Sequence, residues 1–184
     1  FLSDGQVEEI PGTVYKDGSG VDHGEKRQPV ADLDSIPFPA RELFDNGAYK
    51  EYYSKHFRYA MTSIISSRGC PFNCDFCSRP VFGDTFRSRS PRNIVDEMES
   101  VVKLGYDTLW FADDCFTITK DRVMGICDEI SHRDLEVKWH CLSRVDTIDF
   151  EMAAKMKEAG CQRIYFGIEA GDNRILRIMK KDID

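Results

Sequence analysis

The sequence lacks an apolar run near the roughly 20 residues that a membrane-spanning helix needs, and no signal peptide opens it. It also lacks an excess of basic residues, because 25 Lys and Arg stand against 32 Asp and Glu, a net charge of −7. Binding to a nucleic-acid backbone needs a basic face. We therefore expect no nucleic-acid partner and no membrane span, and instead a small-molecule substrate and a cytoplasmic location.

The features of a secreted disulfide framework are absent too. The seven cysteines are odd in number, and three of them lie within eight residues: Cys70, Cys74 and Cys77. A reducing compartment and metal chemistry fit this distribution better than disulfides. The chain begins with Phe1 rather than Met, and residues 175–181 near its end still read as helix. We therefore expect the 184 residues to be a piece of a longer chain.

Residues 1–57 form an irregular stretch with turn signals at Pro11-Gly12 and at residues 17–20. A short strand at Thr13 to Tyr15 between these turns predicts a β-hairpin. The Pro37-Phe38-Pro39 segment that follows is extended, because proline disfavours the helical conformation of the residue before it. We interpret residues 1–57 as a linker that packs against a neighbouring domain.

From residue 62 to residue 184, strand and helix patterns alternate four times, at about 30 residues per unit. The predicted strands are Met61–Ser66, Thr108–Ala112, Val137–Ser143 and Arg163–Ile168. The first helix is expected to begin at Ser90-Pro91, where serine caps and proline occupies the first turn. The fold class is therefore α/β with a parallel sheet. Four such units make half of an eight-fold TIM-type barrel or most of a six-fold one.

Strand alternation predicts which side chains share a face. We expect helices to cover the apolar faces, including Ile164, Phe166 and Ile168 of the fourth strand, while the opposite faces point into the barrel. Asp114, Arg144 and Glu169 then lie at the C-terminal ends of three successive strands. Chemistry in βα barrels is placed at that rim, although such charges can also be merely solvated loop entries.

The cysteine loop has the spacing C-x3-C-x2-C and follows the first strand. Thiolates suit iron–sulfur clusters or zinc. Structural zinc normally takes four protein ligands, and no second closely spaced pair of Cys or His occurs here. The other cysteines are best read as buried core residues: Cys115, Cys127, Cys141 and Cys161. Three thiolates can hold three irons of a [4Fe–4S] cubane and leave the fourth open to a cosubstrate. Zinc remains the alternative.

Residues 67–77, Ser-Arg-Gly-Cys-Pro-Phe-Asn-Cys-Asp-Phe-Cys, resemble the signature of the radical S-adenosylmethionine (SAM) superfamily. The resemblance implies a [4Fe–4S] cluster on Cys70, Cys74 and Cys77 that cleaves SAM reductively to a 5′-deoxyadenosyl radical. It implies that Phe76 lies against the adenine. It also implies a (βα)6 partial barrel, of which this chain supplies the first four units.

The cobalamin-binding branch of that superfamily is similar beyond the cysteine loop. Residues 111–117 resemble its D-D-x-F-T stretch, which makes Asp114, with Asp113 second, the candidate for the methionyl amine. Residues 143–146 and 166–171 are similar as well. They imply that Arg144 reaches the carboxylate of SAM and Glu169 its ribose or amine. No catalytic residue is implied beyond the ligands of the cluster and the cosubstrate.

Segments 10–12 and 33–39 resemble the tail of the branch's cobalamin domain and its linker. The resemblance therefore divides the chain into residues 1–57, a linker and tail of a preceding cobalamin-binding-like domain, and residues 58–184, a radical SAM core truncated at its C-terminus. The Asp-x-His-x-x-Gly cobalamin motif is absent from the sequence. Any cobalamin would accordingly be bound mainly by sequence outside this chain.

The function that the resemblance implies is cobalamin-dependent methyl transfer or oxidative cyclisation, as in the anaerobic magnesium-protoporphyrin monomethyl ester cyclase. An electron donor of flavodoxin or ferredoxin type is implied with it, and the isolated piece can lack activity. One alternative is a methylthiotransferase-like enzyme without cobalamin, which would need three more clustered cysteines. The other is a zinc-binding module without catalysis.

Overall fold

The computed structural model describes residues 10–18, 20–77 and 82–183. The chain divides into two compact units, residues 1–31 and 32–184. The first unit contains an antiparallel hairpin of β1 (Val14–Asp17) and β2 (Gly20–His23), in which Val14 lies opposite His23. The hairpin that the turn signals predict is confirmed.

The second unit is built on a parallel sheet. Its strands, in spatial order, are β3 (Met61–Ile64), β6 (Thr108–Phe111), β7 (Lys138–Ser143) and β8 (Cys161–Phe166). In the stretch of chain that connects β3 to β6, the short strands β4 (Ser67–Arg68) and β5 (Arg87–Ser88) form a separate antiparallel pair. Spatial order follows chain order, as expected for successive βα units. Over the described residues the sheet is open, with β3 and β8 at its edges.

The helices of this unit are α1 (Asn46–Phe57), α2 (Pro91–Lys103), α3 (Lys120–His132), α4 (Phe150–Glu158) and α5 (Asn173–Ile178). The predicted cap of α2 is confirmed, because the Ser90 side chain accepts a hydrogen bond from the backbone of Asn93. None of the helices in the described part of the chain is long and apolar enough to cross a membrane.

The hydrophobic core lies between the sheet and helices α2, α3 and α4. One face of the sheet contributes fully buried Leu109, Phe111 and Trp139, and α2 contributes a stripe from Ile94 to Val101. Complete burial of each such large side chain stabilises the fold by about 1.5–3 kcal/mol. The four cysteines outside the loop are buried as predicted: Cys115, Cys127, Cys141 and Cys161.

The opposite face of the sheet carries a group of aromatic rings. Tyr165 lies edge-on to Trp110, with 5.3 Å between ring centroids, and contacts His140 at 6.5 Å. The Tyr59 ring also lies edge-on to His140, with 6.1 Å between ring centroids. The predicted division of β6 and β7 into a covered face and an opposite face is therefore confirmed.

Strand β8 departs from the predicted pattern. Register pairs Cys161 with Trp139 but Arg163 with His140, so Gln162 is an extra residue in the ladder. Ile164 packs against the core, whereas Phe166 is 40% and Ile168 59% exposed. The prediction that all three share a covered face is therefore wrong for the last two. The strand ends at Phe166, and the six-residue α5 that follows buries only Leu176.

Residues 32–57 pack with the sheet in the second unit. Arg41 pairs with the buried carboxylate of Glu97 at 2.7 Å and donates to the Ser63 carbonyl at 2.8 Å. Arg89 pairs with the other oxygen of Glu97. The boundary between the two compact units falls between residues 31 and 32, whereas the predicted domain boundary lies at residue 57. The assignment of residues 1–57 to a preceding cobalamin-binding-like domain stays a prediction.

Candidate cluster and cosubstrate site

The cysteine loop begins where β4 ends. Gly69 has a φ of +83°, and a Cβ at this position would overlap the carbonyl oxygen of Thr85. The next residue, Cys70, donates its backbone N–H to the Gly83 carbonyl at 3.3 Å. Further along, the Cys77 amide donates to the Cys74 carbonyl at 3.2 Å. A glycine is therefore required where the loop leaves the strand.

The three thiols of the loop are free and reach the surface. Cys70 and Cys74 are half-buried and Cys77 is exposed. Across the residues that the structure describes, no three His, Cys, Asp or Glu side chains converge to hold a single metal ion. A cubane makes a different demand, because each thiolate binds a different iron and the sulfurs need not meet at one point.

The electrostatics of Cys70 suit a cationic ligand. Burial raises the pKa of the Cys70 thiol, a hydrogen bond with the Phe72 backbone lowers it, and the neighbouring Cys115, Asp114 and Cys77 raise it further. Negative charge on these groups is mutually repulsive, and iron offsets that repulsion because it binds the thiolate form. The donor set therefore fits an iron–sulfur cluster.

Asp113 lies at the end of β6 and is enclosed. Its carboxylate accepts from the backbone of Ser66 at 2.7 Å and of Ser67 at 3.1 Å, and from the Ser66 hydroxyl. It also pairs with Arg122 of α3 at 3.1 Å, and both side chains are buried. These contacts of Asp113 join the segment that leads into the cysteine loop to α3.

Asp114, the next residue, is exposed. Partial desolvation by its neighbours, and secondarily the Asp113 charge, raise the pKa of its carboxyl group although the side chain still reaches the surface. Asp114 is also close enough to Cys70 to influence that thiol. Of the two candidates for the methionyl amine, Asp114 is the carboxylate that remains accessible beside the loop.

Arg144 follows β7 and is 5% exposed. Its Nε and Nη2 donate to the two carboxylate oxygens of Asp146 at 2.9 and 2.8 Å. Nη2 also donates to the Lys181 carbonyl at 2.7 Å, and Nη1 lies 3.6 Å from the Cys74 sulfur. The Arg144 guanidinium therefore contacts the cysteine loop directly.

Glu169 follows β8 with a φ of +62° and pairs with Lys181 Nζ at 3.1 Å. The buried Lys181 ammonium also lies 5.8 Å from the centre of the Phe76 ring. Phe76 and Glu169, both predicted site residues, thus both contact Lys181, which is not among the predicted site residues.

The turn after α5 packs on the cysteine loop. The Asp75 amide donates to the Met179 carbonyl at 3.0 Å, and the Asp75 carboxylate pairs with Lys180 at 2.9 Å. The C-terminal ends of β6, β7 and β8 and the loop after β4 therefore meet at one edge of the sheet. Arg122 and Lys181 are not predicted from the sequence, because a basic residue in a helix or at its end carries no signal that separates it from a solvated charge.

The model of the Radical SAM superfamily matches residues 64–184, about two thirds of the chain. The chain belongs to the radical SAM superfamily. Family membership implies a [4Fe–4S] cluster and SAM as cofactors. The match begins within β3 and includes the cysteine loop and all of the strand ends described above.

Relatives in the family include an uncharacterized methyltransferase of Pyrococcus horikoshii, 36% identical over 180 residues. The match covers 97% of this chain and 38% of that protein. The anaerobic magnesium-protoporphyrin IX monomethyl ester cyclase of Rubrivivax gelatinosus is 34% identical over 158 residues, with 84% of this chain and 28% of the cyclase covered. The chain thus spans well under half the length of these relatives.

Two solved radical SAM enzymes share the fold. The cobalamin-dependent SAM radical enzyme OxsB, with aqua-cobalamin and SAM bound, matches with a TM-score of 0.81 at 22% identity. That match covers 97% of this chain and 27% of OxsB. The radical SAM methyltransferase TsrM from Kitasatospora setae matches with a TM-score of 0.75 at 21% identity, covering 93% of this chain and 34% of TsrM.

Proposed function

We propose that this chain is the cluster-bearing part of a radical SAM enzyme that performs methyl transfer or oxidative cyclisation on a small-molecule substrate. The observation that carries the proposal is the meeting of the free thiols of Cys70, Cys74 and Cys77 with Asp114, Arg144 and Glu169 at one edge of a parallel sheet. Relatives named as a methyltransferase and a cyclase support the reaction class.

The sheet and its helices represent the first four units of a (βα)6 partial barrel in this proposal. The similarity to OxsB and TsrM over nearly the whole chain supports it. The aromatic face formed by Tyr59, Trp110, His140 and Tyr165 would then line the barrel's interior.

Each residue at the rim has a proposed task. Cys70, Cys74 and Cys77 would hold three irons, and the cluster, when bound, would supply the electron that breaks a C–S bond of SAM and gives methionine and a 5′-deoxyadenosyl radical. The Asp114 carboxylate accepts a hydrogen bond from the methionyl amine, since it is exposed. The Asp113 carboxylate, in contrast, already accepts hydrogen bonds from Ser66, Ser67 and Arg122. Fixing the cosubstrate in this way matters because a reactive radical must meet one chosen hydrogen at near-contact distance.

The remaining contacts concern the rest of the cosubstrate. Phe76 offers an accessible ring for the adenine, and Glu169 a carboxylate for the ribose or amine. Among the described residues, Asp146, Lys181 and Cys74 accept from four of the five N–H groups of the Arg144 guanidinium, and we assign the fifth to the SAM carboxylate. The Lys181 ammonium, which contacts Glu169 and Phe76, adds a second cation beside the cysteine loop.

Cobalamin and an electron donor complete the proposal. OxsB is described as cobalamin-dependent, and in this protein cobalamin would be held mainly by residues outside the chain. The electron would come from a flavodoxin- or ferredoxin-type protein. The methylthiotransferase alternative would need three more clustered cysteines, whereas in the part of the chain that the structure describes the four cysteines outside the loop are buried.

Anaerobic reconstitution with iron and sulfide tests the proposal. We expect about four irons and four sulfides per chain, the composition of a cubane, and their loss in Cys74→Ala. One zinc per chain without sulfide would instead identify a zinc-binding module and contradict the proposal. Formation of 5′-deoxyadenosine from SAM and dithionite is to be measured on the parent-length chain, since an incomplete barrel can hold a cluster without completing the reaction.

A further inference from the structure

The Arg144 guanidinium lies against the cysteine loop through two contacts. Its Nη1 is 3.6 Å from the sulfur of Cys74, within hydrogen-bond distance for a sulfur acceptor. Its central carbon lies 3.8 Å from the centre of the Phe72 ring, a close stacking contact within the same loop. The ring and the sulfur together place one edge of the guanidinium on the thiol that is to ligate iron.

Three other contacts fix the orientation of this group. Asp146 accepts from both Nε and Nη2, as a bidentate partner. The carbonyl of Lys181 accepts from Nη2 at 2.7 Å. A planar guanidinium held along two of its edges cannot turn away from the third. The N–H directed at Cys74 is therefore a built feature and not the chance contact of a mobile side chain.

We propose that Arg144 donates an N–H hydrogen bond to the cluster-ligating sulfur of Cys74 and thereby raises the reduction potential of the cluster. The inference rests on the proposed function, because it needs a cluster on this loop. It adds a role to the one that the family resemblance implies for Arg144, since the donor to Cys74 is a different N–H from the one left for the cosubstrate.

The physical reason is the charge that reduction adds. The oxidised cluster accepts one electron from a low-potential donor of flavodoxin or ferredoxin type, and the negative charge of the cluster and its thiolates increases by one. Hydrogen bonds to the sulfurs and the net charge nearby are among the factors that set the potential of such clusters. A buried cation that donates to a ligating sulfur stabilises the reduced form more than the oxidised form.

Arg144→Gln removes the charge and the donor, while Arg144→Lys keeps the charge without the rigid guanidinium. Arg174→Gln is the matched control. Arg174 also forms a bidentate pair with an aspartate two residues away, Asp172, but its side chain is 82% exposed. The control therefore removes the same charge and the same kind of ion pair without a contact to the cysteine loop.

The reconstituted wild-type chain and the three variants are titrated with dithionite and mediators, and the reduced cluster is measured by electron paramagnetic resonance. At the midpoint potential of the wild type, we expect the ratio of reduced to oxidised cluster to be about tenfold lower in Arg144→Gln, which is a shift of about 59 mV for a one-electron couple. The shift is expected to be smaller in Arg144→Lys and absent in Arg174→Gln.

A wild-type midpoint in Arg144→Gln with a full complement of iron overturns the inference. If Arg144→Gln fails to retain iron, the decision passes to Arg144→Lys, and a wild-type midpoint in that variant overturns it. Equal shifts in Arg144→Gln and Arg174→Gln also overturn it, because they would report net charge alone. Failure of the proposed function looks different, since the wild-type chain would then bind no iron and sulfide at all.

Discussion

Replacement of Asp113 by asparagine is expected to destabilise the fold strongly. The Asp113 carboxylate accepts hydrogen bonds from the backbone of Ser66 and Ser67 and from the Ser66 hydroxyl, and it pairs with Arg122. Asparagine has almost the same shape, but it carries one acceptor oxygen and an NH2 group that can only donate. At least one donor now facing the carboxylate would lose its acceptor.

The magnitude follows from the burial of Arg122. Its guanidinium donates to Asp113, the Ser66 hydroxyl and the Phe116 carbonyl. Of these three partners, Asp113 is the one that carries a negative charge. Removing one partner of a buried ion pair costs about 3–5 kcal/mol, because it leaves an uncompensated charge. At about 2–4 °C per kcal/mol for a chain of this size, the melting temperature should fall by at least about 6 °C.

Thermal unfolding of the iron-free chain, followed by circular dichroism, measures this effect. Asp114→Asn is the matched control, since Asp114 is adjacent and exposed, and surface substitutions usually change stability by within about 0.5 kcal/mol. The control should therefore melt within about 2 °C of the wild type. A melting temperature for Asp113→Asn that is also within 2 °C of the wild type would refute the assignment of Asp113 to the structural network.

Three further predictions concern the loop and the sheet. Cys74→Ala should abolish iron binding after reconstitution, while the melting temperature of the iron-free chain should change little. Cys127→Ala, in the core, should keep iron binding and lower the free energy of unfolding by about 1 kcal/mol. Gly69→Ala should also lose iron, because its Cβ overlaps a carbonyl, whereas Gly83→Ala, at the same φ of +83° but with open space around it, should retain iron. Burial, and secondarily a nearby arginine, lowers the pKa of His140 below 6.5. As the pH falls, His140 is therefore protonated at a higher pH in the unfolded chain than in the folded chain. The free energy of unfolding should accordingly decrease as pH falls through 6.5, and this decrease should be smaller in His140→Gln.

Each of these predictions has a contradicting result. Iron retained in Cys74→Ala would show that the thiol is not a ligand. Equal iron contents in Gly69→Ala and Gly83→Ala, by the same metal analysis, would show that close packing at the loop's root is unimportant. Urea unfolding at several pH values decides the third case, where identical pH dependence in His140→Gln and the wild type would remove His140 as the cause.

Local patterns in the sequence predicted the regular elements well. The Ser90 cap, the spacing of apolar residues in α2 and the unit length of about 30 residues each depend on contacts between near neighbours in the chain. The parallel strand order follows from them, because consecutive βα units place each strand beside the preceding one. The rim positions of Asp114, Arg144 and Glu169 could be predicted for the same reason.

Contacts between distant residues could not be predicted in this way. The Cys74–Arg144 contact joins residues 70 positions apart, and the Asp75–Lys180 pair joins residues 105 positions apart. Neither has a local signature, because an arginine after a strand or a lysine after a helix is equally typical of a solvated loop. The extra residue Gln162 in β8 is also invisible to simple alternation. The exposure of Phe166 and Ile168 was predicted wrongly for a different reason: alternation assigns a face but does not show whether a helix covers it, and the short α5 after β8 buries only Leu176.

The central claim is that the loop of Cys70, Cys74 and Cys77 holds a cubane with one iron left open to SAM. Electron paramagnetic resonance of the reconstituted, dithionite-reduced chain, recorded with and without SAM, tests it most directly. A cosubstrate that binds the open iron changes the electronic environment of the cluster, so we predict that addition of SAM changes the spectrum. Addition of adenosine, the control, should leave the spectrum unchanged. A reduced-cluster spectrum that is identical with and without SAM would contradict the claim.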